Sequence, residues 1–287
     1  MIPAVLSHES LLEDIRAANR NDSHFRMWWL GQSGFLLQYQ SQHLLLDPYL
    51  SDSLTQKYAG SSQPHIRMSE LAITPDRLDF IDIATSSHRH TDHLDGETLR
   101  PLLQCNPQLE IIVPTAQLEF SADRLDIPTD RFRHLDAGES LRIGSFDFHA
   151  ITAAHDAVDR NDDGHCMYLG YIIQFGDWTV YHSGDTIPHQ GLAEQLGRFS
   201  IDVAILPING RAPERRVSGN FWGTEAATLA HELGVKLVIP CHYHMFSFNS
   251  VTPDEFISAC HHLKQPHCVL RAGERWESVG QRRDQSF

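Results

Sequence analysis

Residues 86–97 read Ser-Ser-His-Arg-His-Thr-Asp-His-Leu-Asp-Gly-Glu, which sets His88, His90, Asp92 and His93 within one short stretch. Imidazole and carboxylate are ligands of borderline cations such as zinc, iron and manganese. A loop can turn His88 and His90 toward one cation while Asp92 and His93 reach a second. Four side chains are too few for two cations that keep open positions for water, so the remaining ligands must come from other strand ends. Three positions offer them: His155 in Ile-Thr-Ala-Ala-His-Asp, Asp185 in Tyr-His-Ser-Gly-Asp-Thr, and His242 in Val-Ile-Pro-Cys-His-Tyr-His. Each follows an apolar strand and opens a polar loop, and an aspartate there can bridge two cations through its two oxygens. With 19 histidines in the chain, His149 and His165 compete with His155, and His244 with His242.

Hydrophobic patterning supplies the elements that must position these groups. Residues 25–30, 34–39 and 42–46 read as three strands broken by glycine-containing or polar turns, with Asp47 where the third ends. The adjacent Trp28 and Trp29 then point to opposite faces, so at least one of them packs. Residues 51–76 are polar and weakly periodic and predict an excursion over the surface. A short apolar strand over 80–88 and a helix over 95–105 with acids in its first turn make the histidine-rich stretch a strand-to-helix loop, where functional side chains are readily exposed. A strand at 110–114, a helix and two or three short strands lead to His155. Residues 168–175 and 178–185 read as a hairpin turned at Gly176 and Asp177. A helix near 189–197, strand 202–208, helix 224–234, strand 236–242 and a helix near 253–263 follow. Residues 7–20, with Ser7 as cap and Leu11, Leu12 and Ile15 on one face, predict a docking helix inside an N-terminal segment 1–22. The pattern predicts an α/β fold of two packed sheets with helices outside, one domain over residues 1–287.

The order of the candidate ligands resembles the metallo-β-lactamase superfamily, whose motifs run Asp, His-x-His-x-Asp-His, His, Asp, His. Here these are Asp47, then His88, His90, Asp92 and His93, then His155, Asp185 and His242. Within the superfamily, Met-Trp-Trp-Leu-Gly-Gln-Ser-Gly-Phe, Tyr-His-Ser-Gly-Asp-Thr and Lys-Leu-Val-Ile-Pro-Cys-His-Tyr-His-Met-Phe are most similar to the L-ascorbate-6-phosphate lactonase group. Ser-His-x-His-x-Asp-His-Leu-Asp is also similar to the phospholipase D that cleaves N-acyl-phosphatidylethanolamine. The resemblance implies an αββα sandwich of two mixed sheets, with two divalent cations (manganese or zinc, with iron as a further candidate) at the edge between them. It favours His155 and His242 over their competitors, and it gives Asp47 the task of supporting the metal loop by hydrogen bonding. His182 is a second supporting candidate, against the plainer reading of a packed strand histidine.

Two such cations lower the pKa of a water enough to supply hydroxide near neutral pH, with Asp92 or Asp185 as proton carrier to the leaving group. The expected activity is that of a metal-dependent hydrolase opening a small sugar-acid lactone, with or without a phosphate. The alternatives are a phosphodiesterase or phospholipase-D-like hydrolase on the same site, and a metal-binding regulatory or scaffold protein without catalysis. For an anionic substrate the candidate cations are Arg160 and Arg211, the latter grouped with Arg215 and Arg216; the same arginines also fit solvent-facing loops. Tyr243 is a candidate donor to an oxyanion or else a core residue.

Composition narrows the partners. With 23 Lys plus Arg against 37 Asp plus Glu the formal charge is −14, which repels nucleic acid and anionic membranes. Five scattered cysteines without a Cys-x-x-Cys pair argue against a disulfide framework and for a reducing compartment. The N-terminus carries no basic start followed by an apolar run, and no apolar run reaches about 18 residues. The expectation is a cytoplasmic protein with a small-molecule substrate, with neither nucleic acid nor membrane as partner; a homo-oligomer stays open.

Overall fold

The three strands expected at the start form an antiparallel meander of β1 (Phe25–Gly31), β2 (Gly34–Tyr39) and β3 (Gln42–Leu46). The computed structural model describes residues 1–19, 22–215 and 217–278. Every residue of β1 is buried, because both of its faces are covered. Phe25, Met27 and Trp29 enter the core between the two sheets, whereas Trp28 and Leu30 enter a second core beneath helices. The two tryptophans thus pack on opposite faces: Trp29 stacks on Tyr243 with centroids 4.5 Å apart, and Trp28 Nε1 donates to Asp14 (2.8 Å) on α1 (His8–Ala18). Residue 20 of the expected docking helix lies outside the described residues.

β4 (Ile83–Thr85), β5 (Glu110–Pro114) and β6 (Phe132–Leu135) continue this first sheet in parallel. The second sheet is antiparallel from β7 (Ser140–Ile143) through β8 (Phe146–Thr152) and β9 (Leu169–Phe175) to β10 (Trp178–His182), then parallel through β11 (Val203–Pro207) to β12 (Leu237–Cys241). β13 (Arg275–Glu277) pairs with β1 and completes a first sheet of seven strands against six in the second.

The short α2 (Ser53–Lys57) aside, the helices lie on the two outer faces. Leu11, Leu12 and Ile15 of α1, Leu99 and Leu102 of α3 (Gly96–Cys105), and Ala122 and Leu125 of α4 (Leu118–Leu125) cover the first sheet. Leu192 and Leu196 of α5 (Leu192–Leu196), Ala226, Ala227 and Ala230 of α6 (Gly223–Glu232), and Phe256 and Cys260 of α7 (Asp254–Leu263) join the core of the second. The layers are therefore α, β, β, α. Between the sheets Phe25 meets Phe175 edge-on at 5.1 Å, and burial of each such ring contributes about 1.5–3 kcal/mol.

Two expectations change and one element is new. The strand expected over 80–88 holds only Ile83–Thr85, because the backbone then leaves the first sheet to bond with the second. The excursion over 51–76 contains α2, and its Leu54 packs with Tyr49, Met245 and Phe246 in a small core of its own. β13 has no forewarning in the sequence, being three half-exposed residues that pair only because β1 offers a free edge. No helix among the described residues is long and apolar enough to cross a membrane.

Candidate metal centre

The histidine loop is clamped by both sheets. Ser86 N still donates to Ile112 O of β5 (2.9 Å), but Ser86 O accepts from the Tyr171 hydroxyl (3.0 Å) and Ser87 O from Leu169 N (3.1 Å), both on β9. His93 N (3.0 Å) and Leu94 N (2.8 Å) then donate to His90 O, a tight turn that gathers the imidazoles: His88 lies 4.1 Å from His93 and 4.6 Å from His90 between ring centroids. Asp95 closes the loop as the cap of α3, accepting from Glu97 N (3.3 Å), from Thr98 Oγ1 (2.6 Å), and from the hydroxyls of Ser51 and Ser53.

The second sheet brings the other groups: His155 beyond β8, Asp185 beyond β10 and His242 immediately after β12. Asp185 is their meeting point. Its Oδ1 lies 3.3 Å from His93 Nε2, and its Oδ2 lies 3.4 Å from His155 Nε2 and 3.2 Å from His242 Nε2. Asp92 Oδ2 is 3.5 Å from His242 Nε2 and 3.7 Å from His93 Nε2. The donor atoms fall into three overlapping groups, each within 4.8 Å: His88, His90 and His155; Asp92, His93 and His242; and His88, His93 and Asp185. Gly184 permits the approach. It has φ +57°, and a Cβ there would stand 2.5 Å from Ser87 Cβ and 2.7 Å from Leu169 O, so only glycine lets the end of β10 lie against the loop.

Hydrogen bonds aim the lone pairs inward. A backbone carbonyl can only accept, so His155 Nδ1, 2.7 Å from Gly219 O, carries its ring proton there and leaves Nε2 to the cluster. His93 Nδ1 donates to Asp47 Oδ2 (2.7 Å). Asp47 also accepts from Ser87 N (3.0 Å), Thr85 Oγ1 (3.1 Å) and the Ser87 hydroxyl, and that hydroxyl in turn lies 3.0 Å from His88 Nδ1. His88 Nε2, His93 Nε2 and Asp185 Oδ1 are left buried without a hydrogen-bond partner.

The charge states divide the ligands into two sets. Burial, then the neighbouring His93 and His90, push the His88 imidazole well below its usual range; burial and His155 push His90 down to about 4, so both rings are neutral. Burial raises the Asp185 and Asp92 carboxyls, but the adjoining His242 and His93 outweigh it and hold both well below the usual carboxylate range. Burial lowers the His93 and His242 imidazoles too, but Asp185 and Asp92 outweigh it and raise His93 well above its usual range and His242 to about 9, so without a cation these two rings hold protons that a divalent cation would displace. Neutral His88 and His90 and the anionic carboxylates already suit such a cation. The residues fit a metal site.

Comparison with known proteins bears on the same residues. The model of a beta-lactamase superfamily domain matches residues 26–242, from β1 to the last candidate ligand. The chain belongs to the metallo-β-lactamase superfamily. Among curated relatives of this superfamily member is a protein from Salmonella gallinarum named "Probable L-ascorbate-6-phosphate lactonase UlaG". It is 24% identical over 278 residues, which cover 85% of this chain and 77% of that protein. A metal-dependent hydrolase from Rubrobacter xylanophilus is 27% identical over 240 residues, covering 80% of this chain and 86% of that protein. Among solved structures, the isothiocyanate hydrolase from Delia radicum gut bacteria has a TM-score of 0.69 at 19% identity, over 88% of this chain and 98% of that chain. The metallo-beta-lactamase fold protein YhfI from Bacillus subtilis has a TM-score of 0.62 at 18% identity, over 89% and 100%.

In this metallo-β-lactamase superfamily chain the cluster forms the floor of a cavity of about 390 Å³. Sequence reasoning missed several of its walls. Gln32, in the turn between β1 and β2 at φ +51°, donates to Asp92 Oδ2 (2.8 Å) and lies 3.0 Å from His242 Nε2. The sequence offered only a Gly-Gln-Ser-Gly turn between two strands, which does not single out the glutamine. Tyr168, not among the cavity-lining residues, packs its ring against the ligands themselves, 5.2 Å from His88 and 5.5 Å from His155. Lys57, Tyr58 and His65, from the supposed surface excursion, line the mouth with Arg89, Phe120 and Arg124.

The expected substrate-binding residues are not there. Tyr243 turns away from His242 into the core, stacks on Trp29 and donates its hydroxyl to Leu270 O, so it is no oxyanion donor. Arg211 forms a two-pronged ion pair with Glu225 of α6 (2.7 and 2.5 Å), and Arg160 donates to Gly164 O (2.6 Å) inside its own exposed loop; neither lines the cavity. Arg215 donates to Asn209 O (2.5 Å), and Arg216 lies outside the described residues. His182 Nε2 donates to Ser33 O (2.9 Å), which ties β10 to the turn carrying Gln32 and leaves the ring out of the cluster. His244 packs beside Tyr243, and His149, midway along β8, bonds Ser140 and Gln174, so neither joins the cluster.

Proposed function

We propose that this chain is a metal-dependent hydrolase that opens a small lactone of the sugar-acid type at two divalent cations, manganese or zinc. The observation that carries the reading is Asp185, buried where both triads of ligand atoms meet with one oxygen unpaired. His88, His90 and His155 would hold one cation and Asp92, His93 and His242 the other, with Asp185 between them. Bound there, the pair supplies hydroxide at neutral pH and an electrophilic contact for a carbonyl oxygen.

The chain's own groups supply the rest. Asp92 is the carboxylate that opens to the cavity, its side chain 17% exposed against 3% for Asp185, so it is the one placed to take a proton and pass it to the leaving oxygen. The Gln32 amide keeps the Asp92 carboxylate turned toward His242. Burial of His93, His155 and His242 keeps bulk water from the cluster's base, and a cavity of about 390 Å³ suits a small molecule. The name of the Salmonella gallinarum relative supports a lactone as target.

Metal content per chain by plasma mass spectrometry, with Asp185→Asn alongside, tests the site. About two equivalents of manganese, zinc or iron are expected, falling to about one or fewer in the variant. Lactone hydrolysis without nitrophenol release from bis(p-nitrophenyl) phosphate is then expected. Under about half an equivalent after reconstitution would instead favour a non-catalytic binding module, and release of nitrophenol without lactone turnover would favour a phosphodiesterase.

A further inference from the structure

The mouth of the cavity is cationic in a chain of formal charge −14. Lys57, Arg89 and Arg124 all line it, and among the described residues none of the three is in an ion pair, whereas arginines elsewhere, such as Arg26, Arg133 and Arg211, are paired with carboxylates. The alternation of the metal loop explains the placement. His88, His90 and Asp92 turn toward the cluster, so Arg89 and Thr91 between them turn toward the mouth; Lys57 Nζ donates to Thr91 Oγ1 (3.3 Å). The Arg89 and Arg124 guanidiniums both lie over the Phe120 ring, 5.7 and 4.5 Å from its centroid. Arg124 is committed to shaping this rim, since its Nη1 donates to Arg89 O (2.6 Å) and Leu94 O (3.0 Å). Arg89 and Lys57 are exposed and keep most of their donors free. Arg89 and Arg124 on one aromatic ledge, with Lys57 across the mouth and no carboxylate among the described residues at ion-pair distance from any of the three, repel one another, and an anion seated among them relieves the repulsion.

We propose that Lys57 and Arg89, backed by Arg124 and Phe120, form a recognition site for a phosphate monoester carried by the substrate away from the bond that is cleaved. This inference rests on the hydrolase reading for its geometry, with the acyl group at the cluster and the phosphate at the mouth. A dianion gains from both mobile cations at once, and a planar guanidinium matches two phosphate oxygens.

Binding, rather than turnover, separates this site from the reaction. The purified full chain is titrated calorimetrically with 6-phosphogluconate and with gluconate, beside Lys57→Gln, Arg89→Gln and the double variant. Both side chains are exposed, so the variants keep the fold. The phosphorylated probe is expected to bind the wild type more tightly than gluconate, to weaken at least about tenfold in the double variant, and to weaken with salt in the wild type only. Gluconate affinity is expected to stay constant across the variants. Equal affinity for the two probes in the wild type, no binding of the phosphorylated one, or equal losses for both in the variants would overturn the proposal. Phosphate-dependent binding without any lactone turnover would sink the hydrolase reading and leave this site standing.

Discussion

Asp47 shows how one side chain governs others it does not resemble. Placed just past β3 at φ +39°, it accepts from His93 Nδ1, Ser87 N, Thr85 Oγ1 and the Ser87 hydroxyl, and so fixes the ring orientation of one candidate ligand and the backbone leading to two more. Asp47→Ala leaves these donors buried and unpaired, at about 1–3 kcal/mol each before relaxation. A loss of about 10–100-fold in metal affinity is expected, measured by competition with a chromophoric chelator, together with a lower urea midpoint. Unchanged metal affinity in a folded variant would remove Asp47 from the support of the site. The sequence pointed to this aspartate because it followed a strand in the expected motif order. It did not point to Gln32, whose role depends on His242 lying 3.0 Å away from a residue 210 positions distant.

At the scale of elements, the site is an arrangement of strand ends. β4, β8, β10 and β12 deliver the ligand-bearing loops to one edge, and the approach of β10 to the histidine loop turns on Gly184. In Gly184→Ala a methyl group would meet Ser87 Cβ at 2.5 Å in a left-handed backbone. The strain alone costs about 1–3 kcal/mol, and the displaced loop should carry less metal per chain and melt earlier. A variant that melts and binds metal like the wild type would show that the two elements can separate freely. The strands themselves were legible in the sequence from their alternation and glycine turns. The segment over 51–76 was not, because its Leu54 and Tyr58 dock on Met245 and Phe246 from the other end of the chain.

For the whole molecule, two covered sheets mean that polar side chains on central strands must also be buried. His43 on β3 is an instance: burial pushes its imidazole below the usual value, while its Nε2 lies 2.9 Å from Gln38 Nε2 and its ring packs on Phe80. The folded state resists its protonation, so the unfolded chain binds more protons once the pH falls below about 6.5. The stability held by neutral His43 is full above that pH and declines from there toward the lowered folded pKa. Melting temperatures of wild type and His43→Gln between pH 7.5 and 5.5 should converge as the pH falls; parallel curves would show that His43 carries none of the acid sensitivity.

The sequence by itself determined which chemistry was available and where the chain would turn. Ligand types, their order, the strand periodicity and the opposed faces of Trp28 and Trp29 are local properties, readable from neighbouring residues. The tertiary structure decided which cations serve the cavity. Arg211 is spent on Glu225, Arg160 on its own loop and Tyr243 on the core, while Lys57 of α2, Arg89 of the histidine loop and Arg124 of α4 come from three separate segments that converge on that loop, Lys57 through Thr91 and Arg124 through the Arg89 and Leu94 carbonyls. A charge becomes available to a ligand only when no nearby partner takes it, and that depends on distances between residues far apart in the chain.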